Sequence, residues 1–547
     1  MSERPDAVAA GKVAAGAPRK APGLRALRGN PWAVLSTACL GYFMTILNTG
    51  SVSIAIPRIQ ADLGASLNEV LWMVGAYVLA LAVLVITAGK LGDLVGQRAV
   101  FLAGMTLFTA ASALCGLAGQ PWLLIGARLL QGVGAALVIP QALTIVTLAF
   151  PPGRRGVAGS VWGVAAALGG VAGPTLGGLV VSTAGWRWIF YLNLPTGVLT
   201  VVLTLLLVTD RRGSRAGRLD LLGVVLAGAA LGSITFGLLE GERYGFGHVT
   251  AFLTIPSILA AGGVLLVLFA LWQRRAREPL APPALFGHRT FPSMCFVVAA
   301  VATALMSISL SMTLYLQSVL GLTAVRAGLA LAPWAVGVLL GFPFTGRLVD
   351  RFGGRVVLVT GLSAYACCLT AIGLLAGAGA GEHALLVPLA LAGLSQSAAF
   401  APVVALALRD VAPDLVGAAS GVFNAVRQLG TLVAVGGLGA LLHGRLDSGI
   451  RSAAATASGE LPDRYRKPFV DGVVEAAAFG DGAGIGIAPG TPADVALRMH
   501  DLAEAAYAQA FGAAVRFTLL VCAALIAVAT AVAWASRERA EADVGAV

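Results

Sequence analysis

The chain has 547 residues, of which 58% are hydrophobic and only 12% are charged, and its mean hydropathy is +0.87. Soluble domains carry about 25% charged residues, so this composition excludes a water-soluble globular protein. The formal net charge is +11, and strong basicity can indicate nucleic-acid binding. The positions of the basic residues decide whether that interpretation holds.

Residues 1–31 are polar, basic and rich in Ala, Gly and Pro, a composition typical of a disordered arm. Fourteen apolar runs follow, each near the ~20 residues that a membrane-spanning helix needs. The predicted segments are 32–56, 69–89, 99–119, 121–149, 157–183, 189–208, 220–240, 251–272, 291–318, 327–345, 356–379, 385–408, 416–442 and 514–535. The first run is longer than a signal-peptide core and is interpreted as a retained helix. The sequence therefore predicts an all-α polytopic membrane protein.

Basic residues are concentrated in alternate connections between these segments. If the N-terminus is cytoplasmic, the inside segments hold 24 Lys and Arg residues and the short outside loops hold 4. Lys and Arg favour cytoplasmic loops, so both termini are predicted inside the cell, at the plasma membrane. This distribution accounts for the basicity without nucleic acid. The long outer loop 443–513 is interpreted as inert rather than as a substrate lid, with an amphipathic helix expected near 493–511.

An internal repeat relates two cytoplasmic loops. GKLGDLVGQR at 89–98 and GRLVDRFGGR at 346–355 lie 257 residues apart, which is typical of a two-halved transporter. We expect an N-terminal six-helix bundle at 32–208, two inserted helices at 209–290, a C-terminal six-helix bundle at 291–535 and a tail at 536–547.

The repeated loops carry the residues for a latch between the halves. Each aspartate is expected to cap a helix N-terminus and to pair with the arginine of its own loop, whereas a plain solvated turn is the alternative. The predicted latch residues are Gly89, Gly92, Asp93, Gly96 and Arg98 in the first loop and Gly346, Asp350, Arg351 and Arg355 in the second.

With these motifs the chain resembles the major facilitator superfamily, and within it the fourteen-helix drug:proton antiporter family. The other matching motifs are RLLQGVGAA at 128–136, GGVAGPTLGG at 169–178, WRWIFYLNLPTG at 186–197 and AASGVFNAVRQLG at 418–430. The resemblance implies a proton antiporter that exports drugs, antibiotics or secondary metabolites by alternating access, and a monomer is expected. Exporters or importers of lipids, amino acids or siderophores stay open as alternatives.

The fifth segment has a stripe of small residues. Gly169, Gly173 and Gly177 recur every four residues, and Gly178 follows. Such spacing lets helices pack backbone to backbone, as a seal between two halves requires, and Pro174 favours a bend. Ordinary membrane packing uses the same residues and is the alternative.

Ionisable residues within a membrane segment are candidates for function. Arg128 and Arg427 are the two basic ones, and each is weighed against a structural role in hydrogen bonding. The resembled family commonly has an aspartate in the first helix, where this chain has Asn48, which cannot carry a proton. Glu69 is a candidate carrier. A protonatable substrate, an uncoupled facilitator or another coupling ion are the alternatives.

Polar and aromatic side chains are expected to line a central cavity for amphipathic ligands, although helix packing is the alternative for any single one. The candidates are Tyr77, Gln131, Gln141, Tyr315, Gln317, Trp334, Gln396, Phe400, Phe423 and Asn424. The six cysteines lie in apolar runs, and the five histidines form no metal-binding pattern. The sequence thus indicates neither an enzyme nor a metal or cofactor site.

Overall fold

The computed structural model describes residues 28–536 except 66, 152–153, 210–218, 242–243, 246, 251, 288, 323, 413 and 479–490. The predicted basic arm up to residue 27 and the tail from residue 537 lie outside the described residues. Eighteen α-helices account for most of the described chain. The helices of the first part are α1 (Pro31–Leu63), α2 (Leu67–Val95), α3 (Gln97–Leu117), α4 (Pro121–Ala149), α5 (Arg155–Thr183), α6 (Arg187–Tyr191) and α7 (Asn193–Leu207).

The remaining helices follow in the same order along the chain. They are α8 (Leu221–Glu240), α9 (Ile255–Gln273), α10 (Ala284–Gly287), α11 (Thr290–Leu314), α12 (Ala324–Phe352), α13 (Gly354–Gly377), α14 (Glu382–Ala407), α15 (Val416–Leu432), α16 (Gly439–Ala457), α17 (Asp463–Ala478) and α18 (Ala493–Ala535). π-Helical turns at Tyr315–Val319 and Val433–Leu438 extend α11 and join α15 to α16.

The membrane-spanning prediction is confirmed in outline. Twelve spans within the described residues are long and apolar enough to cross a membrane. Each of the two other predicted segments, 157–183 and 416–442, is also helical, over α5 and over α15 to α16 respectively. The protein is therefore a multi-pass, all-helical membrane protein.

Several helices begin where the sequence supplies a cap. The Asn30 side chain accepts a hydrogen bond from the Trp32 N–H at 2.9 Å, and the Asp220 carboxylate accepts one from the Gly223 N–H at 2.9 Å. Asp220 also accepts from the Trp272 indole at 2.9 Å. Because caps satisfy N–H groups that have no partner within the helix, they fix where the apolar segments enter the membrane. Asp220 additionally ties the start of α8 to the end of α9.

Two groups of helices form the body of the molecule. In the first half, α1 packs on α5, and α4 packs on α2 and α3. In the second half, α14 packs on α12 and α13, and α18 packs on α13 and α11. The α8–α9 hairpin packs beside α2 and the π-turn after α15.

The repeated loops fold alike. A single glycine separates α2 from α3 and α12 from α13, and both glycines have positive φ, 108° at Gly96 and 84° at Gly353. Glycine adopts this backbone conformation without the steric cost that a side chain brings. We call the end of the bundle that carries Gly96 the Asp93 face, and the opposite end, at the α1–α2 turn, the Asp62 face.

Residues 443–513, the predicted long outer loop, are largely helical in the structure. The described part forms most of α16, all of α17 and the first half of α18, around a core that includes Ile450, Phe469 and Tyr507. Arg498 and Glu460 form an ion pair at 2.8 Å. The 43 residues of α18 span about 65 Å at about 1.5 Å per residue, roughly twice the hydrocarbon thickness of a bilayer. The helix therefore continues beyond the membrane, and the expected amphipathic helix is its first part.

Candidate functional site

Five helices of the first half contribute polar side chains to one buried network. They are Asn48 from α1, Tyr77 from α2, Ser112 from α3, Arg128 and Gln131 from α4, and Asn193 from α7. Polar groups buried among apolar helices are stable only when they bind one another. The structure thus joins four residues that the sequence proposed separately, Asn48, Tyr77, Arg128 and Gln131.

Arg128 lies at the centre of this network and is 1% exposed. Its Nε donates to the Met73 carbonyl at 3.0 Å, and its Nη1 donates to the Gln131 Oε1 at 2.6 Å. Its guanidinium carbon lies 4.4 Å from the centre of the Tyr77 ring. A cation can be buried when hydrogen bonds and an aromatic face replace its water. The partners that the structure gives Arg128 are all uncharged.

Asn48 and Gln131 form a reciprocal amide pair. The Asn48 Nδ2 donates to the Gln131 Oε1, and the Gln131 Nε2 donates to the Asn48 Oδ1, both at 3.3 Å. Asn193 donates to the same Asn48 oxygen at 3.1 Å, and Gln131 donates to the Ser112 hydroxyl at 2.7 Å. Sequence reasoning missed Asn193 and Ser112, although an amide inside the 186–197 motif was a usable signal.

Glu69, the candidate proton carrier, lies in the first turn of α2 and is half-buried. It comes one helical turn before Met73, whose carbonyl binds Arg128. The backbone thus brings Glu69 to the end of α2 at which the Arg128 network lies.

Polar groups of the second half are arranged more loosely. The Arg427 Nε donates to the Asn424 Oδ1 at 3.4 Å, and the buried Asn424 donates to the Ser420 carbonyl at 2.9 Å. Arg427 is half-buried and lies within electrostatic range of the Tyr42 and Tyr77 hydroxyls of the first half. Arg427 therefore faces the boundary between the halves.

The other candidate lining residues are dispersed. Trp334 donates to the Gln396 Oε1 at 2.9 Å within the second half. The Tyr315 hydroxyl donates to the Ala380 carbonyl at 3.0 Å, and Gln317 is exposed. The structure does not bring these last two residues to the Arg128 network. Gln141 and Phe423 are also buried, and Gln141 donates to the Ala88 carbonyl at 2.6 Å.

Three aromatic rings form a column across the boundary between the halves. Tyr42 and Trp162 of the first half stack with centroids 4.3 Å apart, and Trp162 and Phe400 of the second half stack at 6.1 Å. Adjacent planes differ by 8° and 11°. Sequence reasoning proposed Phe400 but missed Tyr42 and Trp162, because no motif singles them out.

At the Asp93 face, the two halves close on each other. The Asp93 carboxylate accepts a hydrogen bond from the Ala418 N–H, at the start of α15, at 2.9 Å. The Thr144 hydroxyl donates to the Ser420 hydroxyl at 3.1 Å. A Cβ on Gly89 would lie 2.6 Å from the Gly417 carbonyl oxygen, so only glycine permits this approach. A carboxylate also interacts favourably with a helix N-terminus.

The second repeated loop lacks this contact. Asp350 is exposed, and Gly346 is buried within α12. The arginines of the two loops have partners other than the predicted aspartates. Arg98 donates to the Leu205 carbonyl at 2.7 Å, the Arg355 guanidinium lies 5.5 Å from the Trp534 ring, and Arg351 lies over Phe352 at 5.2 Å. The expected helix cap therefore forms at Asp93 and not at Asp350. The arginines make the contacts given above in place of the expected Asp–Arg pairs.

The glycine stripe of α5 packs within the first half and not between the halves, which corrects the expected seal. Cβ atoms on Gly169, Gly173 and Gly177 would lie 2.8–3.0 Å from α1 atoms. The Ser51 hydroxyl of α1 donates to the Gly173 carbonyl at 2.9 Å. The spacing indicated a close-packed face but not its partner. Gly178, which follows the stripe, is half-buried. A bend was expected at Pro174, and α5 is continuous through this residue, whose side chain lies outside the described residues.

The part of α5 that meets the second half lies nearer its start. Phe342 of α12 packs against Gly163, and Trp162 stacks on Phe400 of α14.

Among the described residues, no group of His, Cys, Asp and Glu has the arrangement of a metal site.

Comparison with known proteins identifies similar chains. The family model described as Major Facilitator Superfamily matches residues 38–221 and 214–435. The tetracenomycin C resistance and export protein of Streptomyces glaucescens is 34% identical over 514 residues, which cover 92% of each chain. The multidrug resistance protein Stp of Mycobacterium tuberculosis is 35% identical over 408 residues, 74% of each chain.

Two further similarities concern a resistance protein and a solved structure. The puromycin resistance protein of Streptomyces alboniger is 34% identical, with 82% of this chain and 88% of that protein covered. The crystal structure of the human organic anion transporter MFSD10 superposes with a TM-score of 0.57 at 11% identity, over 92% of this chain and 99% of that one. At that identity the likeness establishes the fold alone.

Proposed function

The chain belongs to the Major Facilitator Superfamily, and we propose that it is a secondary transporter that exports small amphipathic organic molecules, such as antibiotics and other drugs, from the cell. The observation that carries this proposal is the near full-length similarity to a protein named for tetracenomycin C resistance and export. Relatives named for multidrug and puromycin resistance support it independently.

We propose that export proceeds by alternating access of a site between the halves. The Asp93 face is held together by the Asp93–Ala418 and Thr144–Ser420 hydrogen bonds. We assign this face to the cytoplasm, because Lys and Arg favour cytoplasmic connections. Breaking these bonds would open the site to the cytoplasm, and re-forming them would commit the substrate to the outer side. The chain acts as a monomer in the plasma membrane, and nucleic acid has no part in the cycle.

The proposed substrate region lies where Arg427 and the aromatic column meet. Arg427 belongs to the second half, and it is close enough to interact electrostatically with Tyr42 of the first half. Aromatic walls with few polar anchors suit amphipathic ligands. The Arg128 network gives the first half a rigid polar core, so that its helices move as one body.

Proton antiport is the coupling that we propose, with Glu69 as the candidate carrier. An uncoupled facilitator is the second candidate, and the position of Asn48 favours it. Asn48 lies inside the Arg128 network through its pair with Gln131, and an amide there cannot titrate. Proteoliposomes that contain a pH dye distinguish the two. Substrate flux with proton movement supports antiport, and the same flux without proton movement supports the facilitator.

Expression in a host that lacks its own efflux pumps tests the export proposal. We expect the protein to lower the accumulation of cationic dyes and hydrophobic antibiotics relative to an empty vector. The matched inactive control is Gly89→Leu. Its side chain would meet the Gly417 carbonyl and prevent closure of the Asp93 face, so this variant should accumulate the compounds like the empty vector. Unchanged accumulation of every compound in the panel would refute the export proposal.

A further inference from the structure

The aromatic column of Tyr42, Trp162 and Phe400 consists of two successive near-parallel pairs that cross the boundary between the halves. Aromatic pairs in proteins adopt edge-to-face as well as offset-stacked arrangements, and other ring pairs in this protein are edge-to-face, such as Trp186–Phe190 at 90°. In the column, both successive pairs are nearly parallel. Trp162 therefore stacks with one ring from each half of the molecule.

The Trp162 indole has a donor that the protein does not use. Trp162 is fully buried, and its Nε1 has no hydrogen-bond partner in the described part of the chain. An unpaired buried donor lowers stability, and almost all such groups in folded proteins have partners. An acceptor supplied from outside the protein would satisfy it.

Arg427 adds a positive charge at the depth of Tyr42. Counted along their helices from the Asp93 face at about 1.5 Å per residue, Trp162 and Phe400 lie roughly 10 Å deep, and Tyr42 and Arg427 roughly 16 Å deep. Arg427 has no carboxylate within ion-pair distance among the described residues, and its described partner is the neutral Asn424. The charge thus lies level with Tyr42 and about one helical turn deeper than Trp162, and the column, the free indole N–H and the charge fall within a layer of the boundary about that thick.

We propose that this layer is the substrate-selecting site and that it prefers flat, fused-ring aromatic compounds that bear an acidic group. This proposal rests on the export function proposed above and names its substrate class. When the halves separate, the face of Trp162 that meets Phe400 is released. A planar ring system takes the place of one ring of the column, an oxygen of the ligand accepts the Trp162 N–H, and the acidic group binds Arg427.

The physical reason for the preference is that each contact requires a different feature of the ligand. Stacking on Trp162 requires a planar π system, because saturated rings are too thick to lie between parallel aromatic planes. Arg427 binds a carboxylate or phenolate more strongly than a hydroxyl, since a charged acceptor roughly doubles hydrogen-bond strength. Ring preference and acid preference should therefore depend on separate residues.

Equilibrium dialysis of the purified full chain in detergent tests this separation with three probes. They are anthracene-2-carboxylate, 2-anthracenemethanol and adamantane-1-carboxylate. We expect the aromatic acid to bind about tenfold more tightly than either of the others. Trp162→Leu should weaken both anthracenes about tenfold and leave their ratio unchanged. Arg427→Gln should abolish the preference for the acid over the alcohol and keep the ring preference.

Two further variants guard against loss of folding. Trp162→Phe keeps a flat ring and should retain the ring preference, and Trp122→Leu removes an exposed tryptophan outside the column and should change nothing. The proposal is overturned if the wild-type protein shows no ring preference, or if Trp162→Leu binds all three probes like the wild type. Export of the drug panel without ring preference would refute this proposal and leave the export function intact. Absence of all transport would refute both.

Discussion

At the scale of single residues, the first half is organised around a buried cation with uncharged partners. Arg128 binds a backbone carbonyl, an amide oxygen and the face of Tyr77. Burial of a charge is costly unless hydrogen bonds replace its water. A cation held by neutral groups keeps its affinity for an anion, and the nearby first turn of α2 provides one in Glu69. We therefore propose that the network takes part in proton or substrate handling.

Arg128→Ala should reduce transport to background while the protein still inserts into the membrane. The Met73 carbonyl loses its donor, which should lower the free energy of unfolding by about 1–3 kcal/mol. Transport and thermal unfolding are measured on the same preparation. The control is Arg187→Ala, whose exposed ion pair with Asp62 should contribute at most about 1 kcal/mol. Wild-type transport in Arg128→Ala would reduce Arg128 to a structural role.

At the scale of helices, two repeated loops of the same fold make different contacts. Both contain a glycine with positive φ between consecutive helices. Asp93 caps α15 of the other half, whereas Asp350 is exposed. The repeat fixes the local turn in both places, but the partner of each aspartate depends on the arrangement of the halves.

Asp93→Asn should weaken closure of the Asp93 face, and Asp350→Asn should not. The charge of Asp93 at the α15 N-terminus contributes about 1 kcal/mol, which corresponds to roughly a fivefold shift in population. Closure is measured by disulfide formation between Thr144→Cys and Ser420→Cys after replacement of the six native cysteines. Equal cross-linking in the two aspartate variants would contradict the assigned role of Asp93.

The α1–α5 contact offers a second test at this scale. Gly173 lies against Leu47 and Gly50 of α1, whereas Gly170 on the same helix has open space around it. Gly173→Leu should force the helices apart and lower the free energy of unfolding by about 1–3 kcal/mol or more. Gly170→Leu is the matched control and should unfold like the wild type. Thermal unfolding in detergent compares them, and similar midpoints would show that the stripe is not a packing face.

At the scale of the whole molecule, the halves meet tightly at the Asp93 face. The contacts of α2 and α4 with α15, and those of α5 with α12 and α14, lie towards this end. Closure of the halves at one face is what alternating access requires of one of its end states. The α16–α18 unit projects from the opposite end and is anchored by the long helix α18.

The proposed orientation predicts which positions a membrane-impermeant reagent reaches in intact cells. Phe252 and Phe286 are both exposed and flank α9 on opposite sides. In a cysteine-free background, Phe252→Cys should react with an impermeant maleimide, and Phe286→Cys should react only after the membrane is permeabilised. The reverse pattern would invert the topology, and labelling of both in intact cells would remove α9 as a membrane span.

The sequence by itself determined the membrane class, the fourteen helical segments and the duplication. Apolar runs of sufficient length must be helical in lipid, because each backbone polar group needs a partner within its own segment. These features depend on local chemistry and on counting along the chain. The same logic identified Arg128 and Gln131 as candidates, since polar groups in such runs are rare, whereas Asn48 was singled out by the family resemblance.

Only the tertiary structure decided which residues meet. Asp93 and Ala418 are 325 positions apart, and no pattern in the chain pairs them. Glycine spacing indicated a close-packed face, yet only the packing of α5 placed this face on α1 and set Trp162 against both Tyr42 of α1 and Phe400 of the other half. Helix periodicity specifies which side chains share a face, but the packing of many helices at once selects the neighbour of each face.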